Sequence, residues 1–151
     1  MRQVVIENPV LNSPYDEPTR HFKFSDESIT DEIADERRIS SYFVPIAPSK
    51  KRSKKQLVFD TEWTKDRIKP NVEINRIRDR LAIWRKGNYQ GITNITANLL
   101  RYWKNPERER RLFFCQIEAI ETAIYLTEVA NRYGDNWIEN YLRNANEDAN
   151  P

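Results

Sequence analysis

The order of apolar and polar positions along the chain changes near residue 60. Before that point, apolar residues occur in short runs that proline and acidic residues interrupt. After it, they recur at intervals of three and four, the spacing of a helix face. We therefore expect a mainly α protein, in which an extended, β-containing arm (1–60) precedes a module of three to four helices (61–143). The polar tail (144–151) is expected to fray.

Short strands are predicted in the arm, where apolar residues alternate or cluster between turn-forming positions. They fall at 4–6, 21–24 and 40–46. Pro45 restricts the last of these to a sheet edge, because proline has no N–H to donate to a ladder. The segment 48–55 is rich in lysine and arginine, and we expect it to be an exposed loop.

The first helix is predicted to begin after Asn71, its N-cap, and to end at Lys86. A second helix is predicted over 93–103, with Ile95 and Leu99 among its buried residues. The apolar stripe of the first helix has spacings of three, four and three, and it consists of Ile74, Ile77, Leu81 and Trp84.

The third helix is predicted over 114–132, and its apolar character on several sides indicates burial. Gly134 follows at the position where a left-handed residue ends a helix, and Asp135 is predicted to cap a last helix. The residues expected to face the core are Ile117, Ile120, Ala123, Ile124 and Thr127, with Phe113, Ala119, Leu126 and Ala130 beside them.

Charge is strongly segregated, although the net charge is only +2. Residues 26–36 contain six acids and no base, whereas residues 72–111 contain ten bases and four acids. The basic region could meet the phosphates of DNA, or it could be a set of solvated helix faces. The residues predicted to contact DNA are Arg76, Arg80, Arg85, Lys86, Arg108, Arg110 and Arg111.

Several classes of protein are disfavoured by the rest of the composition. A single cysteine, Cys115, rules out an intrachain disulfide framework and is typical of a reducing cytoplasm. The single histidine, His21, does not build a metal site with the scattered acids. No apolar run approaches the length of a membrane span, so we expect a cytoplasmic protein without a membrane partner.

The sharpest candidate for chemistry is Gln116, at the start of the third helix and just after Phe113 and Phe114. A glutamine amide has an acceptor and donors, so it can read the N6 and N7 edge of adenine, and an aromatic ring beside it can stack on the base. The same amide could instead bond a backbone group or water. No phosphate loop of the form GxxxxGK[ST] occurs in the chain.

Three blocks together resemble the N-terminal region of a DEAD/DEAH-box helicase of the type III restriction enzyme res-subunit kind. They are IENPVLNSPYDEPTRHFKF (6–24) with SSYFVPI (40–46), DTEWTKDRIKPNVEINRIRDRLAIWR (60–85) and YWKNPERERRLFFCQIEAIETAIYLTEV (102–129). In related motors an aromatic residue often directly precedes the glutamine, and here Cys115 holds that place, which leaves Phe113 and Phe114 as the stacking candidates.

This resemblance implies the N-terminal fragment of an ATP-dependent DNA translocase from a restriction system, with Gln116 on the adenine side. It implies ATP as cofactor, with Mg²⁺ in the complete protein, and neither is expected to bind tightly to this chain alone. It also implies three partners: DNA, the remainder of the helicase chain and a modification subunit. In such proteins the phosphate loop follows a segment like 144–151, so we expect this chain alone to lack ATPase activity. The alternative is a stand-alone basic module that binds DNA or a protein without using ATP.

Overall fold

The computed structural model describes residues 6–24, 29–44 and 68–149. The chain divides into two compact units. The strand unit combines Met1–Asn12 with Pro18–Val72, and the helical unit combines Ser13–Glu17 with Glu73–Pro151. The division between the two units falls near residue 72, and the short piece Ser13–Glu17 belongs to the helical unit.

Two antiparallel strand pairs form the described part of the strand unit. Strand β1 (His21–Phe24) pairs with β2 (Ile29–Ala34), and β3 (Ser41–Phe43) pairs with β4 (Ile68–Pro70). The prediction of a strand at 21–24 is confirmed, and β3 lies inside the predicted 40–46. Strands β2 and β4 were not predicted. Val4, Val5, Pro45 and the basic segment 48–55 lie outside the described residues.

Strand β2 lies within the acidic run, where cross-strand contacts stabilise it despite its charge. The Nζ of Lys23 lies 3.2 Å from a carboxylate oxygen of Glu32, and the hydroxyl of Thr30 donates to the carbonyl oxygen of Lys23. Before β1, the side chain of Asn12 accepts from the backbone N–H groups of Thr19 and Arg20. These bonds fix the chain where it enters the first hairpin.

Four α-helices are found in the described residues: α1 (Val72–Lys86), α2 (Asn94–Trp103), α3 (Phe114–Ile124) and α4 (Trp137–Ala149). The prediction of a mainly α chain with a β-containing arm is thus confirmed. Thr93 caps α2, because its hydroxyl accepts the N–H of Thr96. Helix α4 continues to Ala149, past the predicted start of the tail at 144. None of the described helices is both long and apolar enough to cross a membrane.

Helical structure continues beyond α3, but the hydrogen-bond pattern changes twice. A π-helical segment (Tyr125–Val129) and a 3₁₀ turn (Ala130–Tyr133) follow α3 directly. The prediction of a helical path over 114–132 is therefore confirmed, although it is not one uniform α-helix. Gly134 ends this path with φ of 76°, the left-handed conformation expected there.

The core of the helical unit is a single cluster contributed by all the helical segments after residue 72. Its buried members are Ile77, Leu81, Trp84, Leu100, Tyr125, Val129, Ala130 and Ile138. Trp84 packs edge-on against both Tyr89 and Tyr125. Its indole N–H donates to the carbonyl oxygen of Gln90, so the ring's polar atom is also satisfied.

Some predicted core positions are instead exposed. In α2, Ile95 is 74% exposed and Leu99 also faces solvent, while Leu100 is buried. After residue 116, the buried face runs through Ile117, Glu121, Tyr125 and Val129 at intervals of four. The prediction of burial is wrong for the following residues, which are exposed: Ile74, Ile95, Leu99, Phe113, Ala119, Ala123 and Thr127.

Candidate functional site

Gln116 lies at the third position of α3 and closes the start of that helix. Its Oε1 accepts the backbone N–H of Phe113 at 2.9 Å, which satisfies a donor that the helix itself leaves unpaired. The residue is exposed, and within the described part of the chain its amide nitrogen has no hydrogen-bond partner. The contact to Phe113 fixes the orientation of the amide, since only its oxygen can accept.

The short piece Ser13–Glu17 packs beside this helix start. The backbone N–H of Phe114 donates to the carbonyl oxygen of Pro14 at 2.9 Å. The ring of Tyr15 lies 5.5 Å from that of Phe113 at a tilt of 37°. The guanidinium of Arg111 lies 4.4 Å from the centre of the Tyr15 ring, a cation–π contact. An aromatic and cationic surface therefore adjoins the amide of Gln116.

A charged cluster surrounds Glu121, which has no solvent exposure. Its Oε2 accepts the Nε–H of Arg85 at 2.5 Å, and its Oε1 accepts the hydroxyl of Tyr89 at 2.6 Å. Lys104 donates to that hydroxyl and lies 3.5 Å from Glu121. Arg85 also pairs with Glu118 at 3.0 Å. A buried carboxylate is tolerated here because every oxygen has a cationic or hydroxyl partner.

The pKa values in the cluster follow from these contacts. Burial raises the pKa of Tyr89, and the bond to Glu121 raises it further, so the phenol stays protonated and donates. Burial alone would lower the pKa of Arg85, but its bonds with Glu121 and Glu118 outweigh this and raise it. Arg85 therefore stays charged and Tyr89 stays a neutral donor, and their bonds to Glu121 hold the helices together.

Asp135 is a second buried carboxylate, and its surroundings differ from those predicted for a helix cap. It accepts hydrogen bonds from the hydroxyl of Tyr125 and the indole N–H of Trp137, and it lies 3.1 Å from Nε of Arg80. Burial raises the pKa of Tyr125, and the bond to Asp135 adds to that rise. The side chain therefore joins the helices, while its carbonyl oxygen accepts the N–H of Ile138 at the start of α4.

The seven basic residues predicted to contact DNA are not equivalent. Arg85 and Arg80 are committed to the buried carboxylates Glu121 and Asp135. Arg76 pairs with Glu73 at 2.7 Å and lies over the ring of Trp137.

Arg108 lies over the ring of Tyr102, at 4.5 Å from its centre. Lys86, Arg110 and Arg111 are exposed, and they are the members of the set whose charge faces solvent without an ion pair among the described residues.

A cavity of about 320 Å³ lies within the helical unit beside the Glu121 cluster. Its lining includes the aromatic residues Tyr15, Trp103 and Phe114 and the cations Arg85 and Lys104. Phe114 lies 5.2 Å below the guanidinium of Arg85. The structure thus separates the two predicted stacking candidates, because Phe114 lines this cavity and Phe113 lies at the surface beside Gln116.

The sequence singled out Gln116 but missed Tyr15, Tyr89, Lys104 and Glu121 as parts of the same region. One signal for Glu121 was present, since it interrupts an apolar series of spacing four between Ile117 and Tyr125. Among the described residues, no group of three or more His, Cys, Asp or Glu side chains is placed to hold a metal ion. No protein-family model, no curated protein and no solved structure matches this chain.

Proposed function

We propose that this chain forms the adenine-side part of an ATP-dependent DNA helicase or translocase subunit of a restriction system. The observation that carries the proposal is the amide of Gln116. It is exposed at a helix start, held in one orientation by the N–H of Phe113, and has an unpaired amide donor within the described part of the chain. ATP is the proposed nucleotide, with Mg²⁺ supplied on the phosphate side of the complete protein.

The fixed amide of Gln116 suits adenine rather than guanine. Its N–H group can donate to N7, and its Oε1 keeps a second lone pair that can accept from the exocyclic N6 amine. Guanine has a carbonyl oxygen at the corresponding position, which would face Oε1 as a second acceptor. Because the bond from Phe113 orients the amide before any ligand arrives, little rotamer entropy remains to be lost on binding.

Phe113 is the better candidate for stacking on the base. Its ring is 46% exposed, and Tyr15 supports it from the side. Phe114 faces the cavity near Arg85 instead, so its role in this proposal is to support the charged cluster. Cys115, which lies between Phe114 and Gln116 in sequence, is exposed and carries no part of the proposed contact.

DNA, the remainder of the helicase chain and a modification subunit are the proposed partners. Lys86, Arg110 and Arg111 are the exposed cations suited to DNA phosphates, whereas Arg85 is excluded by its bonds to Glu121 and Glu118. These exposed cations support equally a second function, a basic DNA-binding module without ATP use. The two functions differ only in what Gln116 does.

Gln116→Glu tests the adenine contact without disturbing the fold. A glutamate still accepts the N–H of Phe113 and suits the positive end of α3, but it cannot donate to N7. We expect ATP, and not GTP, to shift the NMR signals of the Gln116 side-chain amide and of Phe113 in the wild-type chain. The Glu variant has no side-chain amide signal, so Phe113 is the reporter there: the variant should keep its unfolding midpoint and lose the shift of the Phe113 signal.

Equal shifts with GTP would refute adenine reading, as would shifts that persist in Gln116→Glu. If ATP shifts no signal near residues 113–116 while duplex DNA still binds, the DNA-binding module without ATP use is the correct function.

A further inference from the structure

A groove of about 940 Å³ lies between the turn that follows α1 and the exposed side of α2. The turn contributes Asn88 to Ile92, and α2 with its C-terminal extension contributes positions 97 to 106. Its volume is within the range of small-molecule and cofactor sites. The groove is distinct from the start of α3, since neither Phe113 nor Gln116 lines it.

The chemistry of the groove favours an anion with hydrogen-bonding groups. Among the described residues no acidic side chain lines it, while Arg101 and Lys104 do. Arg101 is exposed, and within the described part of the chain its hydrogen bond is to the side chain of Asn98 and it has no ion pair. Amide side chains complete the polar lining, and they belong to Asn88, Gln90, Asn98 and Asn105.

The backbone of the turn adds further donors. The carbonyl oxygen of Gln90 accepts from the indole of Trp84, and that of Gly91 accepts from Arg132. In a trans peptide the following N–H points the opposite way, so the N–H groups of Gly91 and Ile92 point away from these partners. Within the described residues neither N–H has an acceptor.

The turn holds this arrangement at a conformational cost. Asn88 and Tyr89 both have left-handed backbones, with φ of 54° and 56°. Such a conformation is unfavourable for tyrosine, and it persists only where surrounding contacts enforce it. The bonds of the Tyr89 hydroxyl to Glu121 and Lys104 provide that enforcement.

An aromatic surface stands at the same groove. The ring of Tyr102 lines it and is 59% exposed. The guanidinium of Arg108 lies against this ring, and its Nη1 is a buried donor without a hydrogen-bond partner among the described residues. An exposed ring beside several cations is the combination with which proteins hold unpaired bases and their phosphates.

We propose that this groove binds single-stranded nucleic acid, with a base stacked at Tyr102 and a phosphate at Arg101. A duplex is disfavoured because its bases are stacked on one another and offer neither faces to Tyr102 nor free edges to the amides. An acidic peptide would match the charge but not the amide and tyrosine lining. Binding of a single strand in this groove does not require Gln116 to read adenine. The binding experiment uses an oligonucleotide and no nucleoside triphosphate.

Fluorescence anisotropy of the full chain with a labelled oligothymidylate of about 16 nucleotides tests the proposal. Tyr102→Ala should weaken binding roughly 5- to 100-fold, and Tyr102→Phe should retain it, because stacking needs the ring and not the hydroxyl. Arg101→Gln should reduce the slope of log affinity against log salt by about one. Arg143→Gln makes the same charge change on exposed α4 and should leave both quantities unchanged.

Circular dichroism of each variant confirms that the helices are retained. The proposal is overturned if Tyr102→Ala and Arg101→Gln bind the oligonucleotide as the wild type does, or if Arg143→Gln weakens binding equally. It is also overturned if an unlabelled duplex competes as well as the single strand, or if an acidic peptide displaces the strand and its binding is lost in Tyr102→Ala.

Discussion

The Nε of Arg85 lies 2.5 Å from Oε2 of Glu121, and this contact joins the last turn of α1 to the middle of α3. Glu17 approaches the same guanidinium at 3.3 Å, so the short piece Ser13–Glu17 is bound to the same cation. An arginine that looked like a DNA contact in the sequence is thus an internal part of the helical unit. The charge of a side chain predicts its partner only when its burial is also known.

Removing the carboxylate of Glu121 should strongly destabilise the chain. Glu121→Ala leaves Arg85 mostly buried without its main partner, and breaking a buried pair in this way costs about 3–5 kcal/mol. Glu121→Gln keeps an acceptor and the side-chain volume, so it should cost less. Urea denaturation measures both changes. Glu139→Gln, which removes an exposed ion pair, should stay within about 0.5 kcal/mol and is the matched control.

The position of the core predicts different effects for apolar residues that look alike in the sequence. Leu81→Ala should lower the free energy of unfolding by about 2–5 kcal/mol, because this side chain is only 1% exposed in the core. Ile120→Ala should cost less, because Ile120 packs at the edge of the cluster. Ile95→Ala should cost under about 0.5 kcal/mol. A larger loss at Ile95 than at Leu81 would show that α2 packs through its other face.

Glu128 should make stability depend on pH in the acid range. The hydroxyl of Thr96, followed by the N–H of Thr93, lowers the pKa of this partly exposed carboxyl in the folded chain. In the unfolded chain the pKa of a glutamate is about 4.3, so protonation of Glu128 favours unfolding. The contribution of Glu128 to the free energy of unfolding is therefore complete above about pH 4.3. This contribution should disappear as the pH falls through the lower pKa that Glu128 has in the folded chain.

The measurement is the difference in unfolding free energy between wild type and Glu128→Gln, taken from about pH 7 down to about pH 3. The difference should shrink as the pH falls below about 4. Glu139→Gln should give a difference that is small at every pH, since the Glu139–Arg143 pair is exposed. A constant difference for Glu128→Gln would mean that these two hydrogen bonds do not favour the charged form.

Binding of duplex DNA should be electrostatic and independent of sequence, and it should depend on the exposed cations. Arg110→Gln with Arg111→Gln should reduce the slope of log affinity against log salt by about two, one for each lost phosphate contact. Arg143→Gln, on α4, is again the control, whereas Arg110 and Arg111 lie in the segment between α2 and α3. A sequence-selective complex that is insensitive to salt would contradict this prediction, and no binding at all would mean that these cations are only solvated.

Local signals predicted the helical segments well. Asn71 and Gly87 flank α1, whose bounds match the prediction, and Gly134 takes the left-handed conformation that its position required. These features depend on residues close in sequence. Helix α2 is different, because it carries apolar residues at 95, 99, 100, 102 and 103, and either side could face a core. Only the packing of Leu100 against α1 and the π segment decides which side does.

The parts that could not be predicted depend on distant partners. Glu121 can be buried because Arg85, from another helix, pairs with it. A sequence pattern does not show that these two residues are in contact. Tyr15 joins the start of α3 in the same way, through the bond between Phe114 and Pro14. Strand β2 is not predicted by its sequence because three of its six side chains are polar or charged, and two of these, Thr30 and Glu32, make contacts with β1 that the pattern does not show. For Gln116, the sequence allows a bond to a backbone group at the helix start, and its Oε1 accepts the N–H of Phe113 there.

The π segment at Tyr125–Val129 has a consequence for how the length of this chain can vary. A π turn holds one residue more than an α turn, so it corresponds to a single-residue insertion that a helix has absorbed. It allows the consecutive residues Val129 and Ala130 both to be buried. A chain shorter by one residue here would close an α turn in place of the π turn, and the residues after it would keep their orientation, because either turn brings the chain round once. A single-residue deletion in a regular helix would instead turn everything after it by about 100°, so the contacts of Asp135 with Tyr125 and Arg80 should survive a deletion at this segment better than one in α3.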